Sequence, residues 1–128
     1  MADVVIDASA LVDLLIGGPI ADKVADRISG HTLHGPAHLD AESISALGRL
    51  HRAGDLAADD ATRMIGHLSA APIVRHALAE LLLGAWARRN NLRLADALYV
   101  ELASALDLPL ISTDRRLQPI ELVEVISE

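Results

Sequence analysis

The chain has 128 residues, a length typical of one domain, so residues 1–128 are expected to form a single unit with a net charge of −7. Its hydrophobic fraction of 52% excludes a disordered chain, and the absence of cysteine excludes disulfides and thiolate metal sites. The first residues lack the basic stretch of a signal peptide, and no apolar run reaches membrane-helix length, so a cytoplasmic protein without membrane contact is expected.

Apolar patterning predicts short strands that alternate with helices. The predicted strands are the β-branched or apolar runs at residues 4–6, 31–34, 72–74, 108–111 and 122–126. The predicted helices, bounded by glycine, proline or asparagine, cover residues 8–15, 20–28, 35–53, 59–69, 80–89 and 95–106. In the last helix, Leu94, Leu98, Leu102 and Leu106 recur at every fourth position as an apolar stripe. This alternation favours an α/β fold with a parallel sheet covered by helices on both faces.

Two aspartates lie at or just beyond the carboxyl ends of predicted strands. Asp7 follows the strand at residues 4–6, and Asp114 follows the strand at residues 108–111 after Ser112 and Thr113. The carboxyl ends of parallel strands meet at one edge of a sheet, so these two acids should converge there. Asp96 lies in the first turn of the helix at 95–106, and the N-terminus of that helix should point to the same edge.

Helix phase distinguishes two acids in the helix at 35–53. At 100° per residue, the polar face of this helix consists of His38, Glu42, Ser45 and Arg49. Asp40 lies about 160° from Glu42 around the helix, toward the apolar stripe. Glu42, in the second turn of this predicted helix, is therefore expected to join the site.

Carboxylates that converge repel one another unless a cation joins them. Mg²⁺ and Mn²⁺ prefer such oxygen ligands, and either ion could polarise a phosphodiester and activate a water molecule. Each acid also has a purely structural interpretation. Asp7 and Asp114 could be capping residues, Asp96 could favour the helix dipole, and Glu42 could be a solvated helix residue.

Four stretches that contain these acids resemble, in order and in overall length, a known family. They are residues 4–12 (VVIDASALV), 41–47 (AESISAL), 94–103 (LADALYVELA) and 110–117 (LISTDRRL). Together they resemble the PIN domain, and specifically the VapC-type toxins of toxin–antitoxin pairs, over essentially the whole chain. The resemblance implies a three-layer α/β/α sandwich with a central five-stranded parallel sheet.

The same resemblance implies a Mg²⁺- or Mn²⁺-dependent endoribonuclease that hydrolyses RNA with a metal-activated water molecule. Metal-binding and catalytic roles would fall to Asp7, Glu42, Asp96 and Asp114. Ser9 and Ser112 match hydroxyl positions that orient the acids or the water, although the family more often has threonine where this chain has Ser112. Such toxins are typically homodimers that are inhibited by a small antitoxin protein.

Five arginines lie near these acids in the sequence. They are Arg88, Arg89 and Arg93 before Asp96, and Arg115 and Arg116 after Asp114. Because guanidinium groups bind phosphate bidentately, some of these residues are predicted to contact RNA; otherwise they are solvated helix ends. A net charge of −7 opposes binding through phosphate contacts alone, unless part of the acidity holds a cation.

Other sites and functions receive less support from the sequence. The six histidines form no H-E-x-x-H motif and are expected to be surface or core residues. Trp86 and Tyr99 are expected to pack at a helix–helix or subunit interface.

A haloacid-dehalogenase-like phosphatase would need a second aspartate where Ser9 stands. Both this phosphatase and a receiver domain would need a downstream lysine, but Lys23 is the only lysine. A catalytically silent PIN scaffold would be expected to lack an acid, and all four are present.

Overall fold

A five-stranded parallel sheet lies at the centre of the computed structural model, which describes residues 2–128. The strands are β1 (Asp3–Ile6), β2 (Thr32–Pro36), β3 (Ile73–His76), β4 (Leu110–Ser112) and β5 (Val123–Val125). They are ordered β3-β2-β1-β4-β5, and each neighbouring pair is parallel. The predicted fold class is therefore confirmed.

Six helices flank the sheet. They are α1 (Ala8–Ile16), α2 (Pro19–Ile28), α3 (Leu39–Arg52), α4 (Ala58–Ala70), α5 (Leu82–Ala87) and α6 (Leu94–Leu106). Single 3-10 turns lie at Ala79–Leu81 and Arg115–Leu117. In the central strand, Val4, Val5 and Ile6 are each at most 1% exposed. Because successive strand residues point to opposite faces, both faces of the sheet are covered.

The second strand is longer, and the third helix begins later, than the sequence indicates. Gly35 and Pro36 were expected to open the helix but instead extend β2, where they pair with Arg75 and His76 of β3. Packing requires a glycine at this position, because a Cβ on Gly35 would lie 2.5 Å from Cδ2 of the buried Leu39. Strand pairing therefore overrides the helix-start signal of the Gly-Pro pair, and Glu42 moves from the second turn of the helix to the first.

The predicted leucine stripe of α6 coincides only in part with its buried face, because Leu102 is buried whereas the two end leucines are exposed. Leu94 is 46% and Leu106 is 36% exposed. The side that faces the core consists of Ala97, Tyr99, Val100, Leu102 and Ala103. The leucines Leu94 and Leu98 instead line an apolar surface groove with residues of α5.

Smaller differences affect the element ends. The helix predicted at 80–89 is a 3-10 turn followed by the short α5, and the strand predicted at 108–111 is displaced toward Ser112. The chain leaves α6 at Asp107, whose left-handed backbone (φ 56°) ends the helix where glycine is more common. Within residues 2–128, no helix is long and apolar enough to cross a membrane.

Candidate active site

All four predicted acids line one cavity of about 300 Å³; they are Asp7, Glu42, Asp96 and Asp114. Asp7 directly follows β1 and Asp114 follows the neighbouring β4, and the backbone N–H of Asp7 donates to the carbonyl of Ile111 over 3.1 Å. The two acids therefore lie at the same edge of the sheet, as parallel topology requires. Glu42 comes from the first turn of α3 and Asp96 from the first turn of α6.

Asp7 is the most buried of the four acids, at 5% exposure. Its Oδ1 accepts hydrogen bonds from the Ser9 hydroxyl (2.7 Å) and from the Ala10 amide (3.0 Å), so Asp7 is also the N-cap of α1. Burial raises the pKa of this carboxyl to about 6, although the hydroxyls of Ser112 and Ser9 and the Ala10 amide oppose the shift. The capping and site interpretations of Asp7 are thus compatible.

Two serine hydroxyls connect the ends of β1 and β4. The hydroxyl oxygens of Ser9 and Ser112 lie 3.2 Å apart. The Ser9 hydroxyl also accepts from the backbone N–H of Thr113 at 3.2 Å, and the Ser112 hydroxyl accepts from that of Asp114 at 3.0 Å. This network fixes the backbone on both sides of the cavity, which is a geometry suited to the orienting role suggested for Ser9 and Ser112.

Glu42 is held by a buried tyrosine that sequence reasoning did not assign to the site. The Tyr99 hydroxyl donates to Oε1 of Glu42 over 2.7 Å, and His38 packs on the Tyr99 ring with 4.7 Å between the centroids. Burial, followed by the bond to Glu42, raises the pKa of Tyr99, so the phenol remains a proton donor. Tyr99 packs between α6 and α3, as predicted for a helix–helix interface, and it also lines the cavity.

Asp40, the acid disfavoured by helix phase, lies outside the cavity lining. Its carboxylate forms two bonds to the Arg75 guanidinium, at 2.8 and 3.1 Å. These contacts connect α3 to β3. The geometry therefore separates Glu42, which faces the cavity, from Asp40, which stabilises the packing of a helix against a strand.

The other two acids are paired with arginines at the mouth of the cavity. Nε of Arg93 lies 3.2 Å from Oδ2 of Asp96, and Nη2 of Arg116 lies 2.7 Å from Oδ2 of Asp114. The hydrogen bond from Arg116 lowers the pKa of Asp114 below its ordinary value. Asp114 also accepts from the backbone N–H of Arg116, so it caps the following 3-10 turn.

Only part of the predicted arginine group lies at the site. Arg93 and Arg116 line the cavity, whereas Arg88, Arg89 and Arg115 do not. Arg88 is bound to Glu101 at 3.1 Å. Arg89 lies over the Trp86 ring, 4.7 Å from its centroid, and Trp86 is 55% exposed rather than packed between helices. Nearness in sequence misled here because α5 carries Arg88 and Arg89 to another part of the surface.

Two further charged residues line the cavity that were not predicted as site residues. Asp13 accepts a hydrogen bond from the Thr113 hydroxyl at 2.6 Å, and Arg49 projects from α3. Helix phase could have identified both residues from the sequence, because each shares a helix face with a predicted site residue. Asp13 is one turn beyond Ser9 in α1, and Arg49 is two turns beyond Glu42 in α3.

The donor atoms fit a hard divalent cation in type. Carboxylate oxygens supported by hydroxyls are the ligands that Mg²⁺ and Mn²⁺ prefer. Across residues 2–128, however, no three acidic or histidine side chains lie close enough in this conformation to hold one ion together. Arg93 and Arg116 neutralise two of the four carboxylates instead. A shared ion would thus have to draw the acids together and displace these guanidinium groups.

Comparison with known proteins agrees with this architecture. The family model described as "PIN domain" matches residues 4–121 of the chain. Ribonuclease VapC3 of Mycobacterium tuberculosis is 50% identical over 115 residues, which cover 89% of this chain and 84% of that protein.

Two solved structures share the fold. The Mycobacterium tuberculosis VapC20, described as a sarcin-ricin-loop-cleaving toxin, aligns with a TM-score of 0.71 at 16% identity, over 98% of this chain and 100% of that chain. A toxin–antitoxin complex from Klebsiella pneumoniae aligns with a TM-score of 0.67 at 15% identity, over 98% and 99% of the two chains. At such identities these structures support the fold alone.

Proposed function

The chain belongs to the PIN domain family, and we propose that it is a Mg²⁺- or Mn²⁺-dependent endoribonuclease, the toxin of a toxin–antitoxin pair. The observation that carries this proposal is the convergence of Asp7, Glu42, Asp96 and Asp114, from four separate segments, on one cavity. The 50% identity to a protein named as a ribonuclease supports RNA as the substrate.

In the proposed site, these four carboxylates would hold the cation once it had drawn them together. When bound, the cation would supply Lewis acidity to the phosphodiester and lower the pKa of an attacking water molecule. The Tyr99 hydroxyl orients Glu42 through its 2.7 Å bond. The Ser9 hydroxyl keeps Oδ1 of Asp7 fixed, which leaves Oδ2 of Asp7 free of the hydrogen bonds that Ser9 and Ala10 donate.

The direct test incubates purified protein with RNA in Mg²⁺, in Mn²⁺ and in EDTA, and compares Asp7→Asn with Asp40→Asn. The second variant removes the same charge from a carboxylate that is bound to Arg75 and lies outside the cavity lining. Metal-dependent cleavage is expected from the wild type and from Asp40→Asn, but not from Asp7→Asn.

Cleavage in EDTA at the rate seen in Mg²⁺, or full activity of Asp7→Asn, would overturn the assignment. A complete lack of RNA cleavage would favour the catalytically silent scaffold. Release of phosphate from a small phosphate monoester, without RNA cleavage, would favour another metal-dependent phosphohydrolase.

We also propose a cognate antitoxin protein, a homodimer and a cytoplasmic site of action. The resemblance to VapC-type toxins, together with the 50% identity to Ribonuclease VapC3, supports the first of these. An exposed apolar surface on α5 supports a partner, because Leu83 is 86% and Trp86 is 55% exposed. Co-purification with the product of a short neighbouring reading frame tests the antitoxin, and light scattering after size exclusion tests the homodimer.

A further inference from the structure

Arg49 differs from the other arginines of the cavity in its pairing. Arg93 and Arg116 each lie beside an aspartate, at 3.2 and 2.7 Å. Within the described part of the chain, Arg49 has no acidic partner within 4.0 Å, although it lines the same cavity. Its guanidinium therefore remains available to an anion that enters from outside.

The position of Arg49 relates it directly to the acids. It lies seven residues after Glu42 in α3, so the two side chains leave the helix within about 20° of each other and about 10 Å apart along its axis. Glu42 and Arg49 also line a second depression, with Ala41 and Ser45, that continues from the cavity along α3. A strand that leaves the acidic centre along this side of α3 would pass Arg49.

The charges of the chain create a need for such a residue. The net charge is −7, and the acids that line the cavity repel phosphate. The Arg93 and Arg116 guanidinium groups are already neutralised in part by Asp96 and Asp114. A guanidinium without a carboxylate partner can instead bind phosphate with two parallel hydrogen bonds.

We propose that Arg49 binds a phosphate of the RNA strand beside the cleaved bond. This inference rests on the proposed ribonuclease function and adds a substrate-binding residue to it. In this arrangement α3 contributes two groups: Glu42 at the acidic centre and, two turns later, a cation that fixes the path of the strand. Arg49 would therefore contribute mainly to substrate binding rather than to the chemical step.

The chain offers a matched control on the same helix. Arg52 is exposed, lies in the last turn of α3 and is absent from the lining of the cavity and of the adjoining depression. Arg49→Gln and Arg52→Gln remove the same charge from the same helix. Arg49→Lys keeps the charge but loses the planar, bidentate geometry. Thermal melts of all three variants would verify that each one folds.

The first measurement is steady-state cleavage of a short single-stranded RNA of mixed sequence in Mg²⁺. Arg49→Gln is expected to raise KM about tenfold while kcat changes by less than about twofold. The KM of Arg49→Lys should lie between those of Arg49→Gln and the wild type. Arg52→Gln should match the wild type.

The second measurement is independent of turnover. Binding of the same RNA is titrated at several salt concentrations in an Asp7→Asn background, which suppresses cleavage. The logarithm of the RNA association constant falls linearly with the logarithm of the salt concentration. Loss of one phosphate contact to a single strand should reduce the magnitude of this slope by about 0.7. Arg49→Gln should show this reduction, whereas Arg49→Lys and Arg52→Gln should retain the full slope.

Equal KM values and equal slopes for Arg49→Gln and Arg52→Gln, with an active wild type, would overturn this inference alone. A fall in kcat with unchanged KM and slope would also overturn it, because Arg49 would then act on the acids and not on RNA. A wild type that neither cleaves nor binds the RNA would overturn the ribonuclease function and the Arg49 inference together.

Discussion

Asp7→Asn should stabilise the metal-free protein while abolishing its activity. The Asp7 carboxyl is buried, and its pKa rises from an ordinary value of 3.8 to about 6. The difference of about two pH units, at 1.36 kcal/mol each, means that ionised Asp7 costs the folded state about 3 kcal/mol above pH 6. Asparagine has a similar shape, can still accept hydrogen bonds from Ser9 and Ala10, and carries no charge to desolvate.

The sign of the pH dependence follows from the raised pKa. Below about pH 4, Asp7 is protonated in both the folded and the unfolded chain, so ionisation of Asp7 makes no difference between variant and wild type. As the pH rises from about 4 to 6, the unfolded chain loses this proton first, and the wild type is destabilised relative to Asp7→Asn. Above pH 6 the advantage of the variant should reach a plateau of up to about 3 kcal/mol.

The assay is urea unfolding of both proteins in EDTA at several pH values between 4 and 8. Asp40→Asn is the control, because Asp40 is paired with Arg75 and its substitution should not stabilise the chain. Added Mg²⁺ should then reduce the difference between wild type and Asp7→Asn, because a cation that binds the folded wild type stabilises it. If Asp7→Asn is less stable than the wild type at pH 7, or if the difference does not depend on pH, the burial argument is wrong.

Three further substitutions test the contact between Tyr99 and Glu42 and the packing of α4 and α5 away from the site. Tyr99→Phe removes the hydrogen-bond donor to Glu42; we expect a reduction in RNA cleavage of about tenfold, measured as kcat, and a loss of about 1 kcal/mol in the free energy of unfolding. Gly84→Ala should change the free energy of unfolding by less than about 1 kcal/mol in urea unfolding, because its Cβ would meet only the flexible end of Glu101, which can move at the cost of its ion pair with Arg88. Gly66→Ala meets nothing within 4 Å in the middle of α4, so in the same assay it should stabilise the chain by about 0.5–1 kcal/mol. Loss of stability in Gly66→Ala, or a loss of more than about 1 kcal/mol in Gly84→Ala, would contradict this interpretation.

The candidate acids were accessible from the sequence because each lies at an end of a secondary-structure element. Asp7 and Asp114 follow apolar runs, and parallel strands place such residues at one edge regardless of side-chain detail. Glu42 could be separated from Asp40 by helix phase even though the predicted helix began several residues too early, since phase depends on spacing and not on the helix start. In the structure, all four acids line one cavity.

The hydrogen-bond and ion-pair partners of the site residues could not be predicted from the sequence in the same way. Nothing local shows that the Tyr99 hydroxyl reaches Glu42, 57 residues away, or that the Ser9 and Ser112 hydroxyls meet across 103 residues. Proximity in sequence did not separate the arginines, since Arg88 pairs with Glu101 whereas Arg93, five residues later, lines the cavity. Such contacts depend on which helix faces pack together.

The sequence by itself determined the fold class, because alternating strand and helix patterns impose a parallel sheet with a common carboxyl edge. Its four acid-containing stretches carried the family resemblance and the prediction of the four acids. Only the tertiary structure decided the burial that raises the pKa of Asp7, the tyrosine behind Glu42 and, among the described residues, which arginine of the cavity lining has no acidic partner. The physical reason is that desolvation and ion pairing depend on distances across the fold, whereas element type depends on neighbours along the chain.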